Sequence, residues 1–434
     1  IRRAAGLGHS PKLPDPDIYD QMNIHADILI IGGGPSGLAA AAKASNSGAR
    51  VIIADDKPQL GGRLLSENAE INNKPALEWV IQIEKTLTSN ANVTLLKNTT
   101  GFGYYDHNFL GLIETRSPRI TGEDNQIRQR IWKVRAKHVI LAQGAFERPL
   151  IFSDNDRPGI MLAGAVRTYL NRYAVIPGRR AILFTNNDDA YRTALDLHSK
   201  GIKVSSIIDI RQNVTGALPM QALAAGIEII EEAAITGIVG THRVKKVEVQ
   251  LLSDSGESVL GSKRTIECDL VCVSGGWNPA VHLHSHSGGT NIWREKDGVF
   301  IPKSSPQAVT STGAGNGIFS LEGCLKDGWH SGKDAAKLAG FAIKKTKPPV
   351  DTKKIAEQAW RNIWCIPTNF PIGHNGKHFI DQQNDVTAAD IKLAVREGYK
   401  SVEHTKRYTT LGMATDQGKT SNIPGHAILA TTLG

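Results

Sequence analysis

The sequence contains no run of about 18 apolar residues, the length that a membrane-spanning helix requires, and no secretory signal segment. We therefore expect no membrane contact. Cysteine is also scarce, with four in 434 residues, which favours a reducing, cytoplasmic compartment over a secreted disulfide scaffold. Cys268 and Cys272 lie in one predicted strand and are separated by roughly 13 Å, too far for a disulfide or a shared metal.

Aromatic residues make up only 6% of the sequence. The basic surface interspersed with aromatic side chains that is typical of nucleic-acid binding is therefore not expected. The formal net charge is +9, which favours attraction of anionic ligands or of an acidic partner. The length fits two or three domains, and because the first residue is Ile1 rather than Met we expect a processed or partial chain. Basic residues cluster at 2–3, 128–137, 179–180 and 344–347.

The densest signal is the stretch ADILIIGGGPSGLAAAAKASNSGARVIIADDK near the N-terminus. Residues 27–31 are predicted to form a strand that is buried on both faces, as at the centre of a parallel sheet. Gly32, Gly34 and Gly37 follow in the spacing Gly-x-Gly-x-x-Gly. This spacing permits a tight turn, close approach of the backbone to a pyrophosphate, and close packing of the next helix on the strand. The helix predicted over 37–47 would offer its unpaired N–H groups to that pyrophosphate.

A second strand is predicted over 51–54, and Asp55 follows it. Asp55 lies 21 residues after Gly34 (55 − 34 = 21), close to the roughly 20 expected for the acid that binds a ribose hydroxyl in a dinucleotide site. Asp55 and Asp56 would repel a 2′-phosphate, so NADP is disfavoured. This unit does not distinguish NAD from FAD. The alternative is a packing turn in an empty Rossmann-like domain.

Two further stretches are predicted to reach the same cofactor. Gly62 lies in a glycine-pair loop that passes over the pyrophosphate in two-dinucleotide flavoproteins, and Arg63 could add a positive charge there. Residues 64–66 contain no cysteine pair, so a dithiol relay is not expected. The backbone around Gly101, just past a third parallel strand predicted over 93–96, would lie at the adenine edge.

Small residues also follow the buried strand predicted over 138–141. Ala142 and Gly144 resemble the alanine-threonine-glycine signature of the same flavoproteins, with Gln in the threonine position. Small side chains there let the sheet end approach the cofactor. Gly313 lies in a glycine-rich turn before a helix predicted over 323–342, which would be a second helix N-terminus facing the cofactor.

A second strand–helix–strand unit is predicted, with its strands over 181–184 and 204–209 and its helix over 189–199. Its turn has lost the glycines and carries Asp188 and Asp189, where a pyrophosphate would need positive charge. We interpret it as a Rossmann unit that has lost its nucleotide. Short antiparallel strands are predicted over 103–114 and 131–134, and three further strands over 227–252.

His282, His284 and His286 alternate along the chain. In an extended segment this alternation would place three imidazoles on one face, as some zinc sites do. No acidic residue or cysteine lies nearby, so a solvated loop is the favoured interpretation and no metal site is assigned.

Six further segments contain specific motifs: 1–8, 14–17, 155–159, 385–390, 407–410 and 412–422. On these segments and the elements above, the sequence resembles the alpha subunits of heterotetrameric sarcosine oxidases, over nearly all 434 residues. That family carries a ferredoxin-like segment before this region and a folate-binding domain, similar to the glycine-cleavage T-protein, after it, so the sequence is expected to be the central portion.

The resemblance implies an α/β fold of the two-dinucleotide-binding-domain (glutathione-reductase-like) type, with a degenerate second Rossmann unit and a small helical module. The implied division is a lead-in over 1–24, a dinucleotide-binding domain over 25–150 and 277–343, an inserted domain over 151–276, a linker over 344–375 and the module over 376–434.

The resemblance also implies non-covalent NAD at the first glycine turn. Sarcosine oxidation would occur on FAD of a partner beta subunit, with FMN at the interface between the subunits, O₂ reduced to peroxide, and the one-carbon unit passed to tetrahydrofolate on the missing domain. Smaller subunits would complete the assembly. The residues implied to line the NAD site are Ser36, Asp55, Asp56, Lys57, Arg63, Gly101, Ala314, Phe319 and Leu321.

Related amine-oxidising subunits end in a module whose four cysteines hold a [2Fe–2S] cluster. The corresponding positions are here Asp381, Gln383, Asp416 and Ser421. Because thiolates hold such clusters, a helical module without iron is expected.

Three alternatives remain open from the sequence. The chain could be a free-standing FAD enzyme that uses NAD(P)H, an alpha subunit of a related amine or opine dehydrogenase, or a scaffold without chemistry of its own. No nucleophile–base pair or carboxylate pair has convincing spacing, so no catalytic residue is assigned.

Overall fold

The computed structural model describes residues 10, 12–116, 127–343, 348 and 357–434. The motif at 1–8, the basic clusters at 2–3 and 344–347, and parts of the predicted lead-in and linker lie outside the described residues. Within the described residues, no helix is both long enough and apolar enough to cross a membrane.

The helices and strands fall into two sheet-containing domains and a C-terminal module. In chain order, the first domain begins with β1 (Ile18–Ile31), α1 (Pro35–Ser45), β2 (Val51–Ala54), β3 (Glu70–Ile71), β4 (Lys74–Pro75), α2 (Ala76–Thr88), β5 (Val93–Leu96), β6 (Thr99–Tyr105), β7 (Phe109–Thr115) and β8 (Ile127–Leu141). After a connecting strand, β9 (Ala145–Glu147), the second domain contains β10 (Ile160–Leu162), α3 (Ala163–Tyr173), β11 (Arg180–Thr185), α4 (Asp189–Ser199), β12 (Lys203–Asp209), α5 (Ala217–Ala224), β13 (Glu228–Ile230), β14 (Ala233–Val239), β15 (Lys246–Leu252), β16 (Val259–Glu267) and β17 (Leu270–Ser274).

The chain then returns to the first domain and ends in the module. The returning elements are a second connecting strand, β18 (Trp277–Pro279), followed by α6 (His282–His286), β19 (Thr290–Arg294), β20 (Val299–Ser304), β21 (Val309–Ser311) and α7 (Leu321–Leu338). The module contains β22 (Phe379–Asp381), β23 (Val386–Thr387), α8 (Ala388–Arg396), α9 (Val402–Thr409) and α10 (Asn422–Leu433).

The sheets confirm the predicted α/β fold with two Rossmann units. The first sheet has the order β5-β2-β1-β8-β7-β6, with β21 also paired to β8, and β1 runs parallel to both of its neighbours. The second domain has a parallel sheet in the order β10-β17-β11-β12-β13 and an antiparallel sheet of β14, β15 and β16. In both sheets the parallel strands present their carboxyl ends to a glycine or polar turn, which is where α/β folds place ligands.

Two strands are longer than the sequence predicts. β1 begins at Ile18, inside the predicted lead-in, and β8 joins the strands predicted over 131–134 and 138–141. The outer halves of β1 and β8 pair with each other, and Asp20 forms an ion pair with Arg130 at 2.7 Å. Most of the outer half of β1 is exposed, so the buried apolar pattern that marks a strand is missing there.

Helices α1 and α7 cross with their backbones in contact. A Cβ on Gly328 would lie 2.2 Å from the carbonyl oxygen of Ser36, and one on Gly332 would lie 2.3 Å from that of Ala40. The hydroxyl of Ser36 donates to the carbonyl of Cys324 at 2.7 Å. The long C-terminal helix of the first domain is thereby fixed against the helix that follows the glycine turn.

Residues 357–366 pack against the second domain, although the sequence predicts a linker there. The Ile366 side chain is fully buried and its N–H donates to the carbonyl of Ile151 at 2.8 Å. The Arg361 guanidinium donates to the carbonyls of Ile210 and Asp254 at 2.8 and 2.6 Å. The prolines and lysines typical of a linker lie upstream, in residues 344–349, and the apolar anchors follow them.

The connecting strands β9 and β18 pair antiparallel where the two domains meet. Because adjacent side chains on a strand point to opposite faces, Phe146 and Glu147 have different surroundings. The carboxylate of Glu147 is buried against the second domain and accepts the N–H of Gly164 at 2.7 Å. Burial, and then the negative charge of Asp189, raise the pKa of Glu147 to about 7.

We expect Glu147→Gln to change how folding stability depends on pH. Because the pKa of Glu147 rises from 4.5 to about 7 on folding, the folded protein holds a proton that the unfolded chain releases between these values. The free energy of unfolding of the wild type therefore falls as pH rises through this window. Glutamine does not titrate, so the variant should gain about 2–3 kcal/mol relative to the wild type between about pH 5 and about pH 8.

Chemical denaturation of both proteins across this pH range measures the difference. The exposed Glu257 offers a matched control, since Glu257→Gln should keep the wild-type pH dependence. Parallel pH profiles for the wild type and Glu147→Gln would contradict the raised pKa.

Candidate functional site

The two domains and the C-terminal module enclose a cleft with a volume of about 1530 Å³, larger than a typical drug-sized pocket. It runs along the carboxyl ends of β1 and β2, over the glycine turn, and opens towards the second domain. Gly37 and Gly313, two of the predicted site residues, do not line it. The predicted residues that do line it are Gly32, Gly34, Ser36, Asp55, Asp56, Lys57, Gly62, Arg63, Gly101, Ala142, Gly144, Ala314, Phe319 and Leu321.

The glycines of the first turn have different physical roles. Gly32 has φ +107°, and a Cβ there would lie 2.3 Å from the carbonyl oxygen of Ala142. A Cβ on Gly37 would lie 1.8 Å from the carbonyl oxygen of Gly32. A Cβ on Gly34 would meet only the Cα of Gly62, at an ordinary 3.9 Å. Gly32 and Gly37 are therefore required by the packing of strand and helix, whereas Gly34 keeps space open on the cleft side.

The N-terminus of α1 is suited to an anion. The helix begins at Pro35, two residues before the predicted start, with Gly34 as an N-cap that makes no side-chain hydrogen bond, and no acidic residue lies in the first turn. The first N–H groups of a helix have no acceptor within it, and the helix dipole makes this end positive. Since Gly34, Pro35 and Ser36 line the cleft, a phosphate there would be bound by the main chain.

Asp55 is fixed by the backbone on both sides. Its Oδ2 accepts the N–H of Gly33 at 2.6 Å, and its Oδ1 accepts the N–H of Lys57 at 2.8 Å. Burial raises the pKa of Asp55. The neighbouring Asp56 and Lys57 form an exposed ion pair at 3.0 Å. Each carboxylate oxygen of Asp55 keeps a second lone pair, so the residue can still accept a ribose hydroxyl at the cleft wall.

Arg63 is bound to the second domain. Its guanidinium donates two hydrogen bonds to Asp189, at 2.8 and 2.9 Å, and stacks over the ring of Trp277 at 4.1 Å. The expected charge of Arg63 is thus already matched by a carboxylate. Arg63 therefore links the two domains at the open side of the cleft. The positive potential for a pyrophosphate comes from the N-terminus of α1 and not from Arg63.

The N-terminus of α7 differs from that of α1. Ser320 caps it by accepting the N–H of Gly323 at 3.2 Å, and Glu322 adds a negative charge in the first turn. Leu321 and Phe319 line the cleft beside it, and the ring of Phe319 packs on that of Trp360 at 5.0 Å. This end of the cleft therefore offers apolar and aromatic surface and is less suited to an anion than α1.

The groove of the second Rossmann unit is filled by the chain itself. Residues 357–361 cross the carboxyl ends of β11 and β12, where a Rossmann unit binds its dinucleotide. The Gln358 N–H donates to the Asp188 carboxylate at 2.9 Å, and the Asn186 amide donates to the carbonyl of Arg361 at 3.0 Å. On the β12 side, the Gln358 amide donates to the carbonyl of Gln212 at 3.1 Å.

A buried arginine forms ion pairs with two carboxylates of that groove. Arg211 forms ion pairs with Asp188 at 2.8 Å and with Asp209 at 2.7 Å, and all three side chains are almost fully buried. Tyr191 donates to Asp209 at 2.9 Å. This arrangement supports the interpretation of the second unit as degenerate, because its turn binds protein groups in place of phosphate.

The three alternating histidines do not share a face. His282, His284 and His286 form the short helix α6, so the solvated loop favoured from the sequence is wrong. His284 is buried beside the carbonyl of Thr290, with its Nε2 at 3.1 Å. Among the described residues, no group of three His, Cys, Asp or Glu could hold a metal ion.

In the module, the residues at the positions of the [2Fe–2S] ligands of related subunits form hydrogen bonds with other protein groups. Asp381 accepts the N–H of Gly412 at 2.8 Å. The Asp416 N–H donates to the amide oxygen of Gln383 at 3.4 Å, and the Asp416 carboxylate accepts the Gly418 N–H at 2.9 Å. These contacts order the loop between α9 and α10. The absence of iron stays a prediction from the residue identities.

The cleft lining also contains residues that the sequence did not assign to the site, among them Trp360, His282, Gln417 and Lys419. Trp360 lies in the predicted linker, and Gln417 and Lys419 lie in the C-terminal module, far along the chain from the glycine turn. No spacing rule relates these positions to a dinucleotide site, so only the three-dimensional packing identifies them.

Two parts of the chain match known protein families. Residues 375–434 match the family described as the sarcosine oxidase A3 domain, and residues 27–91 match the FAD-dependent oxidoreductases. The crystal structure of L-proline dehydrogenase from P. horikoshii is similar with a TM-score of 0.68 at 18% identity, covering 94% of this chain and 74% of that one. This likeness shows the fold.

Two curated relatives are similar over the whole of this chain. Sarcosine oxidase subunit alpha of Rhizobium meliloti (strain 1021) is 39% identical over 445 residues, which cover 100% of this chain and 42% of the relative. Sarcosine oxidase subunit alpha of Corynebacterium sp. (strain U-96) is 37% identical over 435 residues, which cover 99% of this chain and 45% of the relative. The chain thus spans less than half the length of these relatives. Over its own whole length, the chain is similar to the alpha subunits of sarcosine oxidases.

Proposed function

We propose that this chain is the dinucleotide-binding portion of the alpha subunit of a multi-subunit sarcosine oxidase. The assembly would convert sarcosine to glycine, reduce O₂ to H₂O₂ and pass the one-carbon unit to tetrahydrofolate bound outside this portion. The observation that carries the proposal is the uncapped N-terminus of α1 beside Asp55 in one cleft. The similarity of the whole of this chain to part of two sarcosine oxidase alpha subunits supports it.

The residues present fit an adenine dinucleotide. The space beside Gly34 admits a pyrophosphate to the first turn of α1, and the anchored carboxylate of Asp55 is placed for a ribose hydroxyl. Either NAD or FAD supplies, when bound, a ring able to accept two electrons. The chain's own contribution is to bind the phosphates by its main chain and to orient the ribose through Asp55.

We assign NAD to the cleft, with FAD as the second candidate. NAD follows from the resemblance to the sarcosine oxidase alpha subunits, whereas the match of residues 27–91 to the FAD-dependent oxidoreductases favours FAD. The self-filled groove of the second unit argues against a second nucleotide, and so against a free-standing FAD enzyme that draws electrons from NAD(P)H. In the proposed assembly, the amine is oxidised on FAD of the beta subunit, and FMN is shared at the interface between the subunits.

The identity of the bound dinucleotide is the first test. We expect the purified chain to show no flavin absorbance band, and heat denaturation to release NAD, as identified by mass spectrometry. Released FAD would transfer the assignment to the second candidate. A chain that carries no nucleotide and takes up neither NAD nor FAD would contradict the proposed function.

We expect Gly34→Ala to lose the dinucleotide while the protein keeps its fold. The backbone of Gly34 has an ordinary φ of −74°, and a methyl group there meets no protein atom closer than 3.9 Å. The methyl would occupy the space that the pyrophosphate needs. Calorimetric titration should give at least a tenfold weaker dissociation constant, about 1.4 kcal/mol, with a melting temperature near that of the wild type.

Gly32→Ala is the contrasting variant. Its methyl group would lie 2.3 Å from the carbonyl oxygen of Ala142, so the fold and binding should be lost together. Unchanged affinity in a folded Gly34→Ala protein would contradict the placement of the phosphates.

A further inference from the structure

The C-terminal module is docked on the second domain through Asn155, in the segment 155–159. The side-chain Nδ2 of Asn155 donates to the carbonyl of Phe379 at 2.8 Å, and its Oδ1 accepts the Phe379 N–H at 2.9 Å. The side-chain amide of Gln382 donates to the carbonyl of Asn155 at 3.1 Å. Beside these contacts, Ile151 is buried in one apolar cluster with Ile380 of the module. The module is therefore fixed in position relative to the cleft.

One loop of the docked module reaches the cleft. Asp416 orders it by accepting the N–H of Gly418 at 2.9 Å and the hydroxyl of Thr420 at 2.9 Å. Gln417 and Lys419, which lie between these contacts, line the cleft. The hydrogen bonds within the loop and the docking contacts together fix where the two side chains lie.

Lys419 lies on the wall of the cleft beside Phe146 and His282. Its Nζ is 5.7 Å from the ring centroid of Phe146, and that ring meets the imidazole of His282 edge-on at 6.3 Å. His282 begins α6, whose Leu283 would lie 3.3 Å from a Cβ on Gly101. The sequence predicts that the backbone around Gly101 lies at the adenine edge. Lys419, Phe146 and His282 thus form a continuous wall from the module to the adenine edge.

The charge of this wall suits an adenosine. The cationic Lys419 supplies N–H donors, Gln417 supplies a donor and an acceptor, and Phe146 supplies an aromatic face. Adenine presents ring-nitrogen acceptors and a π-face to such groups, and a lysine ammonium is attracted to both. Partial burial in the wall, and then the positive charge of Lys419, lower the pKa of His282, so the imidazole is expected to be neutral beside a base.

We propose that the C-terminal module closes the adenosine end of the dinucleotide cleft, with Lys419 as a binding residue for the adenosine. The inference rests on the proposed function, because it assumes that the cleft holds an adenine dinucleotide. It adds that retention of the dinucleotide depends on the docking of a module outside the Rossmann domains. Release of the module from Asn155 then opens the adenosine end.

The test uses the full chain freed of nucleotide, titrated calorimetrically with AMP, NAD and FAD. Lys419→Ala and Lys419→Met should each weaken the binding of AMP and of the preferred dinucleotide about tenfold, by the same factor for both ligands. Lys400→Ala, a change at an exposed lysine of the same module, should leave both affinities unchanged. Asn155→Ala should weaken binding at least as much as Lys419→Ala, with faster dissociation of the dinucleotide in stopped-flow measurements.

The outcomes separate the two proposals. If the wild type binds a dinucleotide and the Lys419 and Asn155 variants bind it equally well, the role of the module is overturned and the proposed function stands. If the wild type binds neither AMP nor a dinucleotide, both are overturned. Loss of AMP affinity in both Lys419 variants, with melting temperatures that match the wild type, supports the inference and excludes a folding defect as the cause.

Discussion

Direct contact of main chains is the constraint on which the first domain depends. The turn after β1 brings Gly32 against the carbonyl of Ala142, and Gly37 against the carbonyl of Gly32. The same closeness continues where Gly328 and Gly332 of α7 meet the backbone of α1. Side chains are excluded from these contacts, so strand, turn and both helices can occupy only one arrangement. That arrangement directs the N-terminus of α1 into the cleft, and only Gly34 remains open on the cleft side.

The two Rossmann units show how the same architecture is used with and without a ligand groove. The first leaves the end of α1 uncapped and places Asp55 at the second strand. In the second, residues 357–361 cross the strand ends, and Arg211 forms ion pairs with Asp188 of the turn and with Asp209 at the end of β12. Burial of paired charges seldom stabilises a fold by much, but removing one partner leaves an uncompensated charge. The second groove is thus committed to protein contacts, and Arg63 links the two units through Asp189.

The local elements of the fold could be predicted from the sequence because their signals are local. β2, β5 and α4 have the predicted bounds, since apolar runs and turns mark them directly. Glycine spacing and the distance to Asp55 identified the first turn. The outer half of β1 was missed because it is exposed and pairs with a strand distant in sequence. The wall formed by Lys419 was missed for the same reason, as its position depends on how Asn155 docks the module. Long-range packing, and not local propensity, decides these features.

One dinucleotide is expected to bind per chain, in the first unit. Calorimetric titration of the nucleotide-free chain with the dinucleotide that it releases on denaturation measures the stoichiometry directly. We expect one site per chain, with no second, weaker transition. Two sites would show that residues 357–361 leave the second groove accessible, and an absence of binding would show that the first cleft is a packing feature without a ligand.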